Sequence, residues 1–136
     1  MAMRTAIIYS DGFLAHEPGP GHPECPERLQ VMMRELRRSG LLDNGPCELV
    51  EAREASLEEL TMVHEARYVK WVRAICERGG GLLDLGDTIA SPSSYRAAVL
   101  AAGAAIQGVE LVLSGRFDAA VAVSYTHLTL PTTERV

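Results

Sequence analysis

The fold class is decided by one stretch of the sequence, residues 91–123, which reads SPSSYRAAVLAAGAAIQGVELVLSGRFDAAVAV. Ser91-Pro92 is typical of a helix start, because proline tolerates the first helical position. Apolar residues then follow at helical spacing along one stripe: Tyr95, Val99, Ala102, Ile106, Val109 and Leu113. The run FDAAVAV at 117–123 lacks polar alternation and predicts a fully buried strand of the parallel type. A long helix that leads into such a strand indicates an α/β fold.

Two more strands are predicted nearer the N-terminus. The apolar run TAIIYS (5–10) ends at an Asp-Gly turn signal, and CELVEAR (47–53) is a second strand candidate. The segment from Asp11 to Glu24 is rich in glycine and proline and predicts a long, stiff loop. Strands that alternate with helices predict one domain of the α/β class, with a mostly parallel sheet and flanking helices.

Three shorter helices are predicted between these strands. The first begins at Pro26 and ends at Gly40, and its apolar face consists of Leu29, Met32, Met33 and Leu36. Ser56 and Glu59 form a capping box, which predicts a short helix to about His64. The third helix stops at the glycines of 79–81, and its apolar residues are Tyr68, Val72, Ile75 and Cys76. In the long fourth helix, the small side chains of AAGAA (101–105) allow a neighbouring element to approach closely.

The composition argues against one class of function and mildly favours another. The chain has 136 residues, of which 47% are hydrophobic and 23% charged, with a formal net charge of −5. This balance is typical of a globular domain with a modest core. The acidic charge argues against direct nucleic-acid binding, which needs clustered lysine and arginine to neutralise phosphates. It mildly favours a cationic substrate.

Cysteine usage and apolar runs bear on the compartment. Cys25, Cys47 and Cys76 are an odd number without a CxxC pair, which indicates reduced thiols rather than a disulfide framework. The first twelve residues contain too short an apolar run for a signal peptide. The longest apolar stretch, at 97–106, is half the length needed to cross a bilayer. We therefore expect a cytoplasmic protein with no membrane partner.

The segment GPGHPECPERL (19–29) invites interpretation as a metal site, because its His22 and Cys25 could supply two ligands. A structural zinc ion needs four ligands, and no second pair occurs at a suitable spacing. The alternative is a rigid loop and helix start, stiffened by two prolines, and we predict no metal site here. His16 and His64 have no partner that the sequence identifies.

The segments IIYSDGFLAHEPGPGHPECPERL, LEELTMVHEARYVKWV and GDTIASPSSYRAAVLAAG resemble, in this order, the N-terminus of the histone deacetylase superfamily. That superfamily includes histone-deacetylase-like amidohydrolases, acetylpolyamine amidohydrolases and acetoin-utilisation proteins. The resemblance implies that residues 1–123 form the N-terminal, incomplete portion of an arginase-like α/β domain. It implies a parent enzyme that uses zinc to remove acetyl groups from acetyl-lysine or acetylpolyamine substrates.

The resemblance also implies what this sequence lacks. In the family, the strand that matches 117–123 runs into an Arg-Pro-Pro-Gly-His-His segment with the catalytic histidine pair, and the zinc ligands and catalytic tyrosine follow. Here SYTHLTLPTT occupies that place, and His127 stands in a different context. We therefore assign no catalytic residue and no metal ligand, and we expect the chain as given to be inactive and without zinc.

By the same resemblance, two residues are candidates for the site of the intact enzyme. Arg28 matches an arginine near the channel through which acetate leaves. Its alternative role is that of a buried or half-buried arginine that ties the loop to the sheet. Asp87 matches a loop aspartate that accepts hydrogen bonds from substrate amides. Its alternative role is that of an ordinary turn aspartate after Gly86.

Residues 124–136 have two interpretations. One is a short polar tail, and the other is non-native sequence, because SYTHLTLPTT resembles the translation of a sequencing adapter. We expect the second. A rival to the deacetylase interpretation is a short, non-catalytic binding or oligomerisation module on the same scaffold. An unrelated α/β hydrolase lacks support, because the sequence contains no Gly-x-Ser-x-Gly motif.

Overall fold

The structure is a computed structural model that describes residues 3–16, 19, 21, 25–43, 45–83 and 89–124. Its elements, in chain order, are β1 (Thr5–Tyr9), a 3₁₀ helix (Asp11–Ala15), α1 (Pro26–Arg38), β2 (Cys47–Glu51), α2 (Leu57–Leu60), α3 (Ala66–Glu77), β3 (Gly81–Leu82), β4 (Ile89–Ala90), α4 (Ser94–Leu113) and β5 (Ala119–Ala122). Strands and helices alternate as the sequence predicts.

Three parallel strands form the central sheet, in the order β2-β1-β5. Thr5 lies opposite both Cys47 and Ala119, so all three strands start at the same edge. β1 is central, and its side chains from Ala6 to Tyr9 are buried. This arrangement confirms the predicted α/β class with a parallel sheet. The prediction that the last strand is fully buried is wrong, because β5 borders the described sheet and Val121 is 48% exposed.

The first helix begins and ends where the sequence predicts. Pro26 is its first residue, and Gly40 has the positive φ of +80° that stops a helix. Leu29 and Met33 are buried in the same core as β1. Met32, which was expected on that face, is half-exposed because the core contacts a narrower stripe of the helix.

α4 buries a different face from the predicted stripe of large residues. Val109 and Leu113 of that stripe are exposed, and the buried residues are mostly small: Ser94, Ala97, Val99, Leu100, Ala101, Gly103, Ala104, Gly108 and Leu111. The reason is close packing. A Cβ at Gly108 would lie 3.3 Å from the Ala120 Cβ, and one at Gly103 would overlap the Arg53 carbonyl oxygen. The predicted close approach at AAGAA is therefore confirmed.

Other boundaries shift from the predicted ones. The expected loop from Asp11 to Glu24 begins with the 3₁₀ helix, which Ser10 caps by accepting a hydrogen bond from the Gly12 N–H. The capping box of Ser56 and Glu59 is confirmed, but α2 ends after four residues and continues as a turn. β3 and β4 form a short antiparallel pair that the sequence did not predict.

α4 is also the one described helix long and apolar enough to cross a membrane by length and composition. The helix is 20 residues long, twice the apolar run noted in the sequence. Core helices of globular proteins meet the same criterion. Here 39% of the apolar window is buried, and the helix packs against β1, β5 and the 3₁₀ helix.

Candidate functional site

The three parallel strands end at one edge of the sheet. Two backbone hydrogen bonds keep these ends aligned: the Ala52 N–H donates to the Tyr9 carbonyl at 3.0 Å, and the Val123 N–H donates to the Ile8 carbonyl at 3.0 Å. In open α/β sheets, ligands bind beyond the carboxyl ends of the strands. This edge is therefore the candidate functional site.

At the end of β1, Tyr9 and Asp11 are neighbours. Tyr9 is buried and its ring makes an edge-to-face contact with Phe13, with the ring centroids 5.9 Å apart. Burial, and then the negative charge and hydrogen bonding of Asp11, raise the pKa of the Tyr9 hydroxyl. Tyr9 thus stays protonated at neutral pH and serves as a hydrogen-bond donor rather than as a base.

The 3₁₀ helix that follows β1 packs tightly against α4. A Cβ at Gly12 would lie 2.6 Å from Leu100 Cδ1 and 3.3 Å from Arg96 Nη1, so only glycine fits without a shift of these side chains. Ser10 is buried and fixes the start of the helix through the Gly12 N–H. The site edge is consequently joined to the N-terminal half of α4.

At the other end of the 3₁₀ helix, three polar side chains form a chain of hydrogen bonds. His16 Nδ1 lies 2.6 Å from the Ser94 Oγ, and both residues are buried, with exposed fractions of 5% and 6%. The Ser94 Oγ accepts the Ser91 N–H at 2.7 Å and lies 2.8 Å from the Ser91 Oγ. His16, whose partner could not be identified from the sequence, therefore pairs with Ser94, a residue 78 positions away.

At the end of β2, Arg53 is held by carboxylates. Its guanidinium donates to both carboxylate oxygens of Glu59 at 3.0 Å and to Glu110 Oε1 at 3.3 Å. Hydrogen bonds from Arg53, and then the backbone N–H of Ser56, lower the pKa of Glu59 to about 2. The Arg53 N–H also donates to Gln107 Oε1 at 3.1 Å. Arg53 is therefore an anchor between β2, α2 and α4.

The residues predicted for the intact site lie as follows. Arg28 is exposed on the first turn of α1, which does not match the burial expected of an arginine that ties the loop to the sheet, and its role near the acetate channel stays a prediction. Asp87 lies outside the described residues, as do His22, Glu24 and His127. The position of Arg28 relative to Asp87 therefore lies outside what the structure describes.

The described histidine, cysteine and acidic side chains bear on whether the chain could hold a metal ion. Within residues 3–16, 19, 21, 25–43, 45–83 and 89–124, no group of three histidine, cysteine, aspartate or glutamate side chains could hold a metal ion. The described residues thus do not fit a zinc site. Cys25 and Cys47 are half-buried and Cys76 is buried, and all three are free thiols. Burial raises the pKa of Cys76.

A row of rings lies on the surface beside α3. The rings of His64 and Tyr68 are 5.7 Å apart, and those of Tyr68 and Trp71 are 5.9 Å apart. Burial against its neighbours lowers the pKa of His64. Trp71 is exposed, and the row therefore belongs to the surface of the domain.

Comparison with known proteins shows which proteins this chain is similar to. Residues 22–127 match the histone deacetylase domain. The chain is 34% identical over 141 residues to the histone deacetylase-like amidohydrolase of Pseudomonas aeruginosa. This alignment covers 91% of this chain and 36% of the relative. It is 36% identical over 121 residues to a protein of Archaeoglobus fulgidus named as a probable deacetylase, covering 89% of this chain and 33% of the relative.

Two further similarities agree. The human polyamine deacetylase HDAC10 is 39% identical over 122 residues, covering 83% of this chain and 18% of that protein. The crystal structure of the HDA15 HD domain superposes with a TM-score of 0.82 and 30% identity, over 92% of this chain and 36% of that one. The chain thus spans about a third or less of the length of these relatives. A domain match over most of the chain, together with the shared fold, means that the chain belongs to the histone deacetylase family.

Proposed function

We propose that the chain is the N-terminal portion of a deacetylase domain whose complete form hydrolyses an acetylated amine. The observation that carries this proposal is the match of residues 22–127 to the histone deacetylase domain. The names of the relatives, among them a polyamine deacetylase and an amidohydrolase, support acetyl-lysine and acetylpolyamine as the substrate class. In this proposal residues 1–123 belong to the domain and residues 124–136 are a non-native tail.

In the complete domain, this chain supplies scaffold and rim rather than the reacting groups. The carboxyl edge of the sheet and the 3₁₀ helix form one wall of the site. Arg28, exposed on the first turn of α1, is suited to an anion such as acetate, because a guanidinium presents several donors in one plane. Asp87 is assigned to the substrate side, where a carboxylate accepts hydrogen bonds from amide N–H groups.

Zinc is part of the proposal for the complete domain only. There it would polarise the amide carbonyl and activate a water molecule. The sequence has four histidines, no two of them adjacent, and His16 is already bonded to Ser94. We therefore propose that the chain as given neither binds catalytic zinc nor hydrolyses acetylated amines. The three free thiols support a cytoplasmic protein.

The first test is to read the source DNA across codons 115–150 with primers independent of the original library. The proposal expects FDAAVAV to continue into a segment with a histidine pair. The extended protein should then release acetate from an acetyl-lysine peptide or an acetylated polyamine. A reading frame that ends at Val136, or an extended protein without activity on both substrates, would overturn the proposal.

Asp87→Asn in the extended protein tests the substrate role. Because a hydrogen bond to a charged group contributes about 1.5–3 kcal/mol, we expect kcat/KM to fall by about tenfold or more. Asp84→Asn, in the same stretch of sequence, is the matched control and should leave kcat/KM unchanged. Equal effects of the two variants would mean that Asp87 is an ordinary turn residue.

One observation favours the rival function, a non-catalytic binding or oligomerisation module. Val121 on β5 and Leu113 at the end of α4 are exposed, and Leu113 has an exposed fraction of 82%. Apolar side chains at a strand edge are suited to association with another polypeptide. A soluble, well-defined oligomer of the 136-residue chain, with a reading frame that ends at Val136, would support this rival.

A further inference from the structure

A chain of hydrogen bonds through His16, Ser94 and Ser91 connects two segments that are distant in sequence, and in it His16 and Ser94 are buried and Ser91 is half-buried. His16 follows the 3₁₀ helix and precedes the stretch that leads to Arg28 on α1. Ser91 stands between β4 and α4, four positions after Asp87. The two segments of the proposed site are thus joined at their described ends.

The hydrogen bonds of this chain fix geometry more closely than apolar packing does. The Ser94 hydroxyl has one proton and two acceptor positions. It accepts the Ser91 N–H, and its contacts of 2.6 Å to His16 Nδ1 and 2.8 Å to the Ser91 Oγ use its remaining capacity. The Ser91 hydroxyl also lies 3.4 Å from the Ala15 carbonyl oxygen. Buried polar groups in such a network lose stability if one partner moves away, because an unpaired group is costly.

We propose that His16 is a positioning residue. Through Ser94, it holds Ser91, the described end of the segment that carries Asp87, against the 3₁₀ helix. That 3₁₀ helix precedes the segment that carries Arg28. The inference rests on the proposed function, which assigns Asp87 to the substrate side and Arg28 to an anion such as acetate. In this role His16 acts through Ser94 and Ser91 rather than on the substrate. It acts by setting where the neighbouring segment begins.

Hydrogen–deuterium exchange on the 136-residue chain tests the connection without any substrate. In His16→Leu and in Ser94→Ala, amide exchange in peptides from 89–94 should accelerate about fivefold to tenfold, the equivalent of about one lost hydrogen bond. Peptides from β1 and α3 should keep their exchange rates. His16→Asn places a polar atom near the position of Nδ1 and should restore slow exchange. His64→Leu is the matched histidine control and should leave 89–94 unchanged.

Three outcomes would overturn the proposal: unchanged exchange in 89–94, an equal rise in all peptides, or no rescue by His16→Asn. If His16→Leu does not fold, Ser94→Ala gives the same comparison. In the extended protein, His16→Leu should lower kcat/KM, and this loss should disappear when Asp87 is already replaced by Asn. Additive losses in the double variant would also overturn the proposal. An inactive extended protein would refute the proposed function alone, because the exchange result does not depend on activity.

Discussion

Arg53 and Arg28 lie in different surroundings. Arg53 gives its guanidinium to Glu59 and Glu110 and its backbone N–H to Gln107, so its donors are used within the fold. Arg28 is exposed on the first turn of α1. The sequence does not single out Arg53, and only the carboxylates brought beside it by α2 and α4 reveal it as an anchor.

Glu59 should make stability depend on pH in the acidic range. Its pKa is about 2 in the folded chain, against 4.5 for an unperturbed glutamate, so the unfolded chain binds the proton first as the pH falls. The contribution of Glu59 is therefore complete above the unperturbed value and is lost as the pH falls towards 2. The difference in free energy of unfolding between wild type and Glu59→Gln should be largest at neutral pH and shrink through this window.

Urea denaturation followed by the fluorescence of Trp71, the single tryptophan, measures this difference at each pH. Glu58→Gln is the matched control, since Glu58 is the adjacent exposed glutamate and lies outside the capping box. A difference for Glu59→Gln that stays constant from neutral pH to pH 2 would contradict the assignment of its low pKa to Arg53 and Ser56.

At the scale of elements, the small residues of α4 decide how the helix meets the sheet. Gly103→Ala places a Cβ against the main chain at Arg53 and 2.8 Å from the Ala55 nitrogen, atoms that cannot move aside cheaply. We expect a loss of about 1–3 kcal/mol in the free energy of unfolding, as for other overpacked sites. The loss exceeds the gain of about 1 kcal/mol from replacing a helical glycine by alanine.

Gly108→Ala is the matched control on the same helix. Its added Cβ would lie 3.3 Å from the Ala120 Cβ and 3.4 Å from Ile8 Cδ1, a tight contact that small side-chain shifts relieve. We expect its stability to stay within about 1 kcal/mol of the wild type, because helix propensity offsets the contact. Equal losses in the two variants, measured by thermal unfolding, would contradict the close approach of Arg53.

The elements also show what sequence can and cannot predict. Pro26 and the Ser56–Glu59 box are local signals, and the structure confirms the helix starts that they predicted. The buried face of α4 was missed, because large apolar residues suggested a stripe while close packing selected the small ones. The 3₁₀ helix packs so closely on α4 that a Cβ at Gly12 would meet Leu100, a long-range constraint that no local pattern contains.

The candidate site, too, could be predicted from the sequence only in part. The family resemblance identified the domain, which the comparisons confirm. The bond between His16 and Ser94 spans 78 positions and had no signal in the sequence, because a lone histidine and a helix-start serine are each ordinary. Long-range pairs of this kind follow from the topology, which sets the 3₁₀ helix after β1 against the start of α4.

At the scale of the whole molecule, the sheet ends at an uncharged strand. β5 reads AAVA and is paired with β1 on one side within the described sheet. Parallel strands are usually covered on both faces, and an exposed apolar edge favours pairing with another chain. We therefore expect the 136-residue chain to self-associate and to aggregate on heating.

Val121→Lys should reduce this association, because a charge on an edge strand opposes strand pairing. Val121 is half-exposed, so the substitution should change the free energy of unfolding by no more than about 0.5 kcal/mol. Size-exclusion chromatography with light scattering, at equal concentrations, should show a lower mass for the variant than for the wild type. Leu57→Lys, at an exposed position on α2, is the matched control and should leave the mass unchanged. An equal decrease in both variants would mean that general surface hydrophobicity, rather than the edge at β5, drives association.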